Sequence, residues 1–191
     1  MRRRLMHRLL PGGAAFGADR RGSTAVEFAI LGPIFLMFVL STFEVGWFYF
    51  ANSQVDAAAL AAAREIRTGS VQKDNLDKDE FFAAVCPALA LFGDCDDKVT
   101  VAVERYGSFS ALADDNDPVI CRDDASTDVD NLPFEPGSDG DIVRLRICLL
   151  YDTTNPALGV NVSNASNGRR RLHSEFIFRN EPFSRSSGVG D

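Results

Sequence analysis

The stretch RRGSTAVEFAILGPIFLMFVL, residues 20–40, decides how the chain is organised. Glu27 is followed by a run without charged residues that continues to residue 43. A helix needs about 20 apolar residues to cross the hydrocarbon core of a bilayer. A charged side chain within such a segment costs free energy, roughly 2.5–3.5 kcal/mol at the bilayer centre. The presence of Glu27 beside this run therefore indicates that its charge has a function.

The charges of the chain are distributed unequally on the two sides of this stretch. Residues 1–22 contain six arginines and one aspartate, a net charge of +5. Residues 68–191 contain 12 Lys or Arg and 22 Asp or Glu, a net charge of −10. Since basic segments remain on the cytoplasmic side of a membrane, this asymmetry predicts a single-pass protein with a cytoplasmic N-terminus. The acidic C-terminal part would repel DNA, so no nucleic-acid partner is expected.

One long helix is predicted over Ser23–Arg67. Thr24 and Glu27 have the spacing of a capping box at its start. Pro33 is tolerated within a membrane helix, and the Thr-Gly-Ser sequence at residues 68–70 is expected to end the helix. The alternative interpretation is a buried core helix of a soluble protein. An aromatic belt, typical of a membrane surface, is predicted at Trp47, Phe48, Tyr49 and Phe50.

Residues 68–191 are predicted to form a domain on the translocated side of the membrane. A short second helix is expected over residues 77–91. Alternation of apolar and polar residues predicts three strands, over residues 98–106, 141–152 and 172–180. The middle strand should place Arg144, Arg146 and Cys148 on the face opposite its apolar residues. Segments 114–141 and 164–171 are predicted to be loops. The fold class is therefore α+β, a long N-terminal helix followed by a small antiparallel sheet.

All four cysteines follow the apolar segment. An even number of cysteines on the translocated side of a membrane indicates disulfide bonds. Three pairings satisfy the sequence. We favour Cys86–Cys95, which closes a short local loop, together with Cys121–Cys148, which ties a long loop to a strand. A zinc site is the alternative, although CxxC spacing and neighbouring histidines are missing from the sequence.

The residues around Gly22 resemble a known processing motif. Gly22 followed by STAVEF, residues 23–28, is similar to the prepilin-peptidase site of the type IV pilin superfamily. More narrowly, the chain resembles the TadE-like minor pseudopilins of the tight-adherence (Tad, or Flp pilus) system. The matching segments are GSTAVEFAILGP, AAREIRTG, VCPAL with Cys95 nearby, and FIFRNEP. The first motif is also shared with TadF-type and TadG-type relatives.

The resemblance implies a processed membrane protein. A prepilin peptidase would cut between Gly22 and Ser23 and so remove a cytoplasmic leader, residues 1–22. The mature chain would stay in the bacterial inner membrane, with its C-terminal domain in the periplasm, and serve in the assembly of a Tad pilus and hence in surface adherence. Its partners would be the prepilin peptidase, other Tad pilins and pseudopilins, and the assembly platform. Incorporation into the pilus itself is left open.

Such processing would give Glu27 a specific partner. Cleavage creates an α-amino group on Ser23, which is charged near neutral pH. In a bundle of parallel helices, Glu27 of one subunit could pair with the amine of its neighbour, and each charge would offset the desolvation of the other. A helix out of register would leave one charge unpaired, so Glu27, with the adjacent Phe28, is predicted to set the register. Capping within one helix is a compatible alternative.

Other polar residues are expected to be in contact with water. Glu44 lies about 25 Å further along the helix and is placed at the outer membrane interface, with a contact to another pilin helix as the alternative. The acidic run 113–130 lacks the spacing of a calcium loop and is expected to be solvated. Residues 169–171, all arginine, are expected to be exposed or to neutralise a partner's acidic loop. Arg179 and Glu181 are expected to pair.

The sequence offers no catalytic constellation. It contains neither a Ser–His–Asp or Cys–His set nor a phosphate-binding glycine loop, so no enzyme, cofactor or metal is expected. Two other classes of function stay open. A secreted periplasmic binding protein would be cut in the Ala-rich segment 57–63, although the apolar run exceeds the roughly 7–15 residues of an ordinary signal peptide. A single-pass anchored ectodomain, either an enzyme or a sensor, would remain unprocessed.

Overall fold

The structure is a computed structural model, and it describes residues 22–123, 128–153, 160–165 and 168–183. The predicted leader, apart from Gly22, lies outside the described residues. The architecture is mixed α and β, with one long N-terminal helix and a three-stranded antiparallel sheet. This confirms the predicted fold class.

Helix α1 spans Ser23–Arg67, which are the predicted bounds, and includes Pro33. The predicted capping box is wrong. The N-cap is Gly22, whose backbone is already helical (φ −91°, ψ −5°), so Thr24 lies inside the first turn rather than at the extended position that a capping box needs. Instead, the Ser23 hydroxyl donates a hydrogen bond of 3.0 Å to Oε1 of Glu27.

The end of α1 depends on Gly69. Its φ of +79° lies in the left-handed region that glycine adopts without strain, and its N–H donates to the carbonyl of Ile66 at 3.0 Å. A Cβ at this position would lie 2.2 Å from the ring of Phe183. The left-handed backbone and the close approach of Phe183 together explain why the helix ends here.

Short helices connect α1 to the sheet: α2 (Ser70–Lys73), α3 (Lys78–Val85) and α4 (Cys95–Lys98). Helix α3 begins with a capping box, in which Asp77 accepts from the Glu80 N–H at 2.8 Å and Glu80 accepts from the Asp77 N–H at 3.1 Å. The predicted helix over 77–91 is too long. Pro87 lacks an N–H and disfavours helical backbone before it, so α3 ends at Val85. Two 3₁₀ turns follow, over Cys86–Ala88 and Ala90–Phe92.

The sheet contains β1 (Val99–Tyr106), β2 (Ile142–Asp152) and β3 (Arg169–Arg179) in the order β1-β2-β3. Strand β3 begins three residues before its predicted start, because residues 169–171 continue the pairing with the end of β2, Arg169 lying opposite Asp152. A short helix α5 (Phe109–Asp114), capped by Ser108, was also not predicted.

The core lies between α1 and one face of the sheet. The helix contributes a buried stripe consisting of Ala51, Val55, Ala58, Ala59, Ala62, Ala63 and Ile66. These residues recur at intervals of three and four, which places them on one side of a helix, and the small alanines let the helix approach the sheet closely. The sheet contributes Val99, Val101, Val103, Val143, Leu145, Ile147, Leu149 and Tyr151.

The opposite face of the sheet is covered by the segment after α5. The disulfide Cys121–Cys148 and the buried Leu150 form a second, small cluster there. Arg144 and Arg146 project from the same face, as predicted, but both are buried. The second disulfide, Cys86–Cys95, closes the loop after α3. The structure therefore has the two favoured pairings, and the zinc alternative is incompatible with them because all four thiols are used.

Candidate processing and assembly site

The first turn of α1 carries the residues predicted to be processed and to pair. Gly22 and Ser23 lie at the exposed start of the helix, and Glu27 follows one turn later, also exposed. No described atom lies within 4 Å of a Cβ built on Gly22, and its φ of −91° suits any residue. The fold therefore does not require glycine at this position.

The N-terminal half of α1 exposes an apolar surface. Phe28 is 75% exposed, and its ring lies over Gly32, where a Cβ would be 3.5 Å from the ring. The surface continues along the helix through large side chains, each at least 39% exposed. They are Val26, Ile30, Leu31, Ile34, Phe35, Leu36, Met37, Phe38, Leu40 and Phe43. Such a large unbroken apolar surface is typical of a segment that contacts lipid or other apolar helices.

Helix α1 is long and apolar enough to cross a membrane, and only a small fraction of its most apolar segment is buried. The low burial distinguishes this segment from a core helix of a soluble protein. A signal sequence near an N-terminus would have the same length and composition. Helix α1 is thus a candidate membrane anchor.

Residues 22–64 match the sequence model of a family described as TadE-like protein. This part of the chain, residues 22–64, is similar to TadE-like proteins and is named the TadE-like segment. The match begins at the predicted processing site and ends three residues before the end of α1, so it confirms the predicted resemblance over less than a quarter of the chain. The sheet lies outside the TadE-like segment. Neither a curated protein nor a solved structure matches the chain.

Glu44 belongs to the TadE-like segment, and the structure corrects its predicted environment. It is 3% exposed, and Oε1 accepts a hydrogen bond from the hydroxyl of Tyr151 at 3.3 Å. The expectation of a solvated side chain at the membrane interface is wrong, because the end of β2 reaches down α1 to this level. The sequence signal for this contact is the tyrosine that ends the apolar run of β2.

The end of the TadE-like helix is fastened to the C-terminal part of the sheet domain. Arg67 Nη2 lies 2.7 Å from Oε1 of Glu181, and the N–H of Glu181 donates to the carbonyl of Arg67 at 2.9 Å. Arg179 instead donates from Nε to the carbonyl of Gly140 at 2.7 Å. The predicted pair between Arg179 and Glu181 is therefore wrong, because β3 ends at Arg179 and the carboxylate of Glu181 pairs with Arg67 instead.

The arginine run of β3 contacts its own chain. Arg170 lies over the ring of Phe48 in α1, with 4.5 Å from its guanidinium carbon to the ring centroid. Arg171 Nε donates to Oδ1 of Asp123 at 2.9 Å. Arg171 is exposed, as expected, and the acidic residue that it contacts belongs to the same chain rather than to a partner. The expectation of exposure is wrong for Arg170, which is half-buried against Phe48.

Arg144 and Arg146 are the centre of a buried ion network that the sequence did not reveal. Both pair with Glu104 across the β1–β2 ladder, and the shortest N–O distance is 2.7 Å in each case. Arg144 Nη2 also lies 2.9 Å from Oδ2 of Asp115, and Tyr106 donates its hydroxyl to the same oxygen at 2.5 Å. The network fastens the segment after α5 to the sheet, and its contacts are those of a structural site.

The network shifts the pKa values of three of its members. The hydrogen bond from Tyr106, followed by one from the Asp117 N–H, lowers the pKa of Asp115 to about 2. Burial and the hydrogen bond to Asp115 raise the pKa of Tyr106 above its ordinary value. Burial alone would lower the pKa of Arg144, but the hydrogen bond and charge of Glu104 outweigh it, so this pKa is raised. The protonation states of these three groups therefore do not change across the physiological pH range.

Within the described residues, His, Cys, Asp and Glu form no group of three or more that could hold a metal ion. The calcium alternative for the acidic run 113–130 falls partly on residues 124–127, which lie outside the described part. The described portion of that run contributes Asp115 and Asp123 to the ion pairs above. Their carboxylates are thus already bonded to protein cations.

Proposed function

We propose that this protein is a TadE-like minor pseudopilin, anchored in the bacterial inner membrane by α1 and required for the assembly of a Tad pilus. Its role is structural rather than catalytic. A prepilin peptidase removes the basic leader, the sheet domain stays in the periplasm, and the exposed half of α1 packs against other Tad pilins and the assembly platform. Surface adherence is then a consequence of pilus assembly.

The observation that carries this proposal is the division of α1 into two halves. The half that begins at the processing motif is apolar and exposed, whereas the half from Ala51 to Ile66 is buried against the sheet. The same helix thus supplies an exposed apolar N-terminal half and, in its C-terminal half, part of the core of the domain. This is the arrangement needed by a subunit that is held in a membrane and then packs by its helix.

Gly22 gives independent support for processing. Neither the backbone conformation nor the packing of the described residues requires glycine at position 22. Recognition by a peptidase, which must approach the backbone at the cleavage site, explains the residue. The position at the start of the TadE-like match agrees with this role.

The arrangement argues against a secreted binding protein. Cleavage within residues 57–63 would remove Ala51 and Val55, both fully buried, from the core and cut through its central alanines. Without this part of α1, the apolar face of the sheet would be exposed to water. An intact α1 is therefore required by the fold, which argues against cleavage in this segment.

The test is the N-terminal residue of the protein purified from its native membranes, determined together with its intact mass. We expect a chain that begins at Ser23 and remains in the membrane fraction. A chain that begins within residues 57–63, or an intact leader in an assembled pilus, would contradict the proposal.

A further inference from the structure

We propose that the sheet domain rests directly on the outer surface of the bilayer, where Trp47 and the disulfide-closed loop of residues 86–95, led by Leu91, insert into the lipid headgroup region. The inference rests on the proposed membrane insertion of α1. It adds a second lipid contact, made by the domain itself, and the surface involved is defined here as the Trp47 patch: Phe43, Trp47, Phe50 and Leu91.

The depth of the helix in the bilayer is limited by residues 160–165. The N–H of Val160 donates to the hydroxyl of Ser41 at 3.3 Å, so Val160 lies beside α1 at the level of Ser41. The exposed Asn161 and Asn164 follow directly. Polar, irregular backbone is excluded from lipid hydrocarbon. The hydrocarbon must therefore end near Ser41, about 27 Å along the helix from Ser23, which is close to the thickness of the hydrocarbon core.

This limit places the Trp47 patch in the headgroup region. Trp47 is six residues, about 9 Å, beyond Ser41 along α1, and side chains of a helix lean towards its N-terminus. Phe43 lies lower and is 74% exposed, whereas Trp47 is 41% exposed. Tryptophan is enriched at this depth because its ring is apolar and its N–H can remain hydrated.

The disulfide loop is held against the same side of the helix. The ring of Phe92 lies 6.1 Å from the rings of both Trp47 and Phe50, centroid to centroid. With Phe92 turned inward, Leu91 is 65% exposed, and the other exposed residues over 86–92 are apolar too: Pro87, Ala88 and Ala90. An exposed apolar turn fixed beside an interfacial tryptophan continues the lipid-facing surface of α1 onto the domain.

The charges near the patch indicate which lipids suit it. Asp94, Asp96 and Asp97 are exposed at the end of the loop and would be repelled by anionic headgroups. Zwitterionic headgroups are therefore the expected partner, and phosphatidylcholine vesicles are the appropriate probe.

The sequence has one tryptophan, so fluorescence can report its depth without labelling. The full chain would be reconstituted into phosphatidylcholine vesicles whose lipids carry bromine near the top of the acyl chains, which quenches nearby indoles. Leu91 is then probed with Trp47→Phe/Leu91→Trp. The matched control is Trp47→Phe/Phe109→Trp, since Phe109 is equally exposed at 62% but follows the far end of β1, about 23 Å from the start of the strand.

The inference expects that bromine quenches Trp47 and the tryptophan at 91 but leaves the one at 109 unaffected, in chains that co-float with vesicles and keep the wild-type circular dichroism spectrum. Absence of quenching at 91 in co-floating protein would overturn the lipid contact and leave the proposed function intact. A blue-shifted but unquenched tryptophan at 91 would show that protein, for example a second copy, covers the patch, which also overturns it. Failure to co-float would overturn both proposals.

Discussion

The hydroxyl of Tyr151, at the end of β2, donates a hydrogen bond to the buried carboxylate of Glu44, 107 residues earlier in the chain and at the middle of α1. The bond joins the sheet to the helix at the boundary between its exposed and buried halves. It also explains how a glutamate is retained beyond the apolar run: the side chain is covered by the domain of its own chain rather than by lipid.

The Tyr151→Phe substitution tests this bond. A buried hydrogen bond to a charged group contributes about 1.5–3 kcal/mol, so we expect the variant to lose roughly this much stability. The measurement is denaturant unfolding of the full chain in detergent micelles. Thr42→Ala is the control, because its hydroxyl makes an exposed bond within α1, to the carbonyl of Phe38. Equal stability of Tyr151→Phe and wild type would contradict the assigned contact.

Gly22→Ala is expected to block removal of the leader while the fold stays intact. The added methyl group meets no described atom, so the substitution separates recognition by the peptidase from folding. Gly46→Ala is a matched control, since a Cβ at Gly46 also meets no described atom. Mass spectrometry of membrane fractions should find the leader on the first variant only. Normal trimming of Gly22→Ala would remove the main support for a prepilin-type site.

Glu27→Ala is expected to be trimmed normally and to fail in pilus assembly, because the neighbouring subunit's α-amine loses its partner. Electron microscopy of surface pili and mass spectrometry of the membrane protein measure the two effects separately. Ser23→Ala distinguishes the partner: it removes the hydroxyl that bonds to Glu27 but keeps the α-amine, so assembly should persist. Full piliation in Glu27→Ala would eliminate the register hypothesis.

The two disulfides should differ in their effect on stability. In the chain-entropy model, the bond across 27 residues, Cys121–Cys148, contributes roughly 3–4 kcal/mol and the bond across nine residues, Cys86–Cys95, roughly 2–3 kcal/mol. Paired Cys→Ser variants, unfolded by denaturant without reductant, test this order. Peptide mapping without reduction checks the pairing itself, and four free thiols would contradict it.

Asp115 should make the protein sensitive to acid. Its pKa is lowered in the folded state to about 2, chiefly by the hydrogen bond from Tyr106, so its stabilising effect is present above the ordinary pKa of 3.8 and is lost as the pH falls towards 2. Asp115→Asn should therefore flatten the dependence of unfolding on pH between about 4 and 2. Asp97→Asn, at an exposed position, is the control and should retain the wild-type slope.

Much of the fold follows from local patterns in the sequence. The apolar run and the alanine stripe fixed the limits of α1, and alternation located the three strands and their faces, since both signals report one element at a time. The boundaries that failed depended on neighbours. Arg169 continues β3 only because Asp152 lies opposite it, and no local pattern encodes that partner.

The polar contacts could be predicted least well. Glu44 and Tyr151, like Arg67 and Glu181, are distant in sequence and meet only after the sheet packs on the helix. For Arg144 and Arg146, alternation predicted the correct face of the sheet. It did not predict that the segment after α5 buries this face, because that segment has no periodic pattern. The motif around Gly22 was recognisable in the sequence because it consists of consecutive residues, 22–28, and depends on no distant contact.

Helix α1 is continuous from Ser23 to Arg67, so any shift or rotation of its N-terminal part is transmitted to the sheet domain. A helix rises 1.5 Å and turns 100° with each residue. A subunit that docked one residue out of register at Glu27 would therefore carry its whole domain about 1.5 Å along the bundle axis and through about 100° around it. In the proposed assembly, the choice of partner for Glu27 thus selects the direction in which the sheet domain faces.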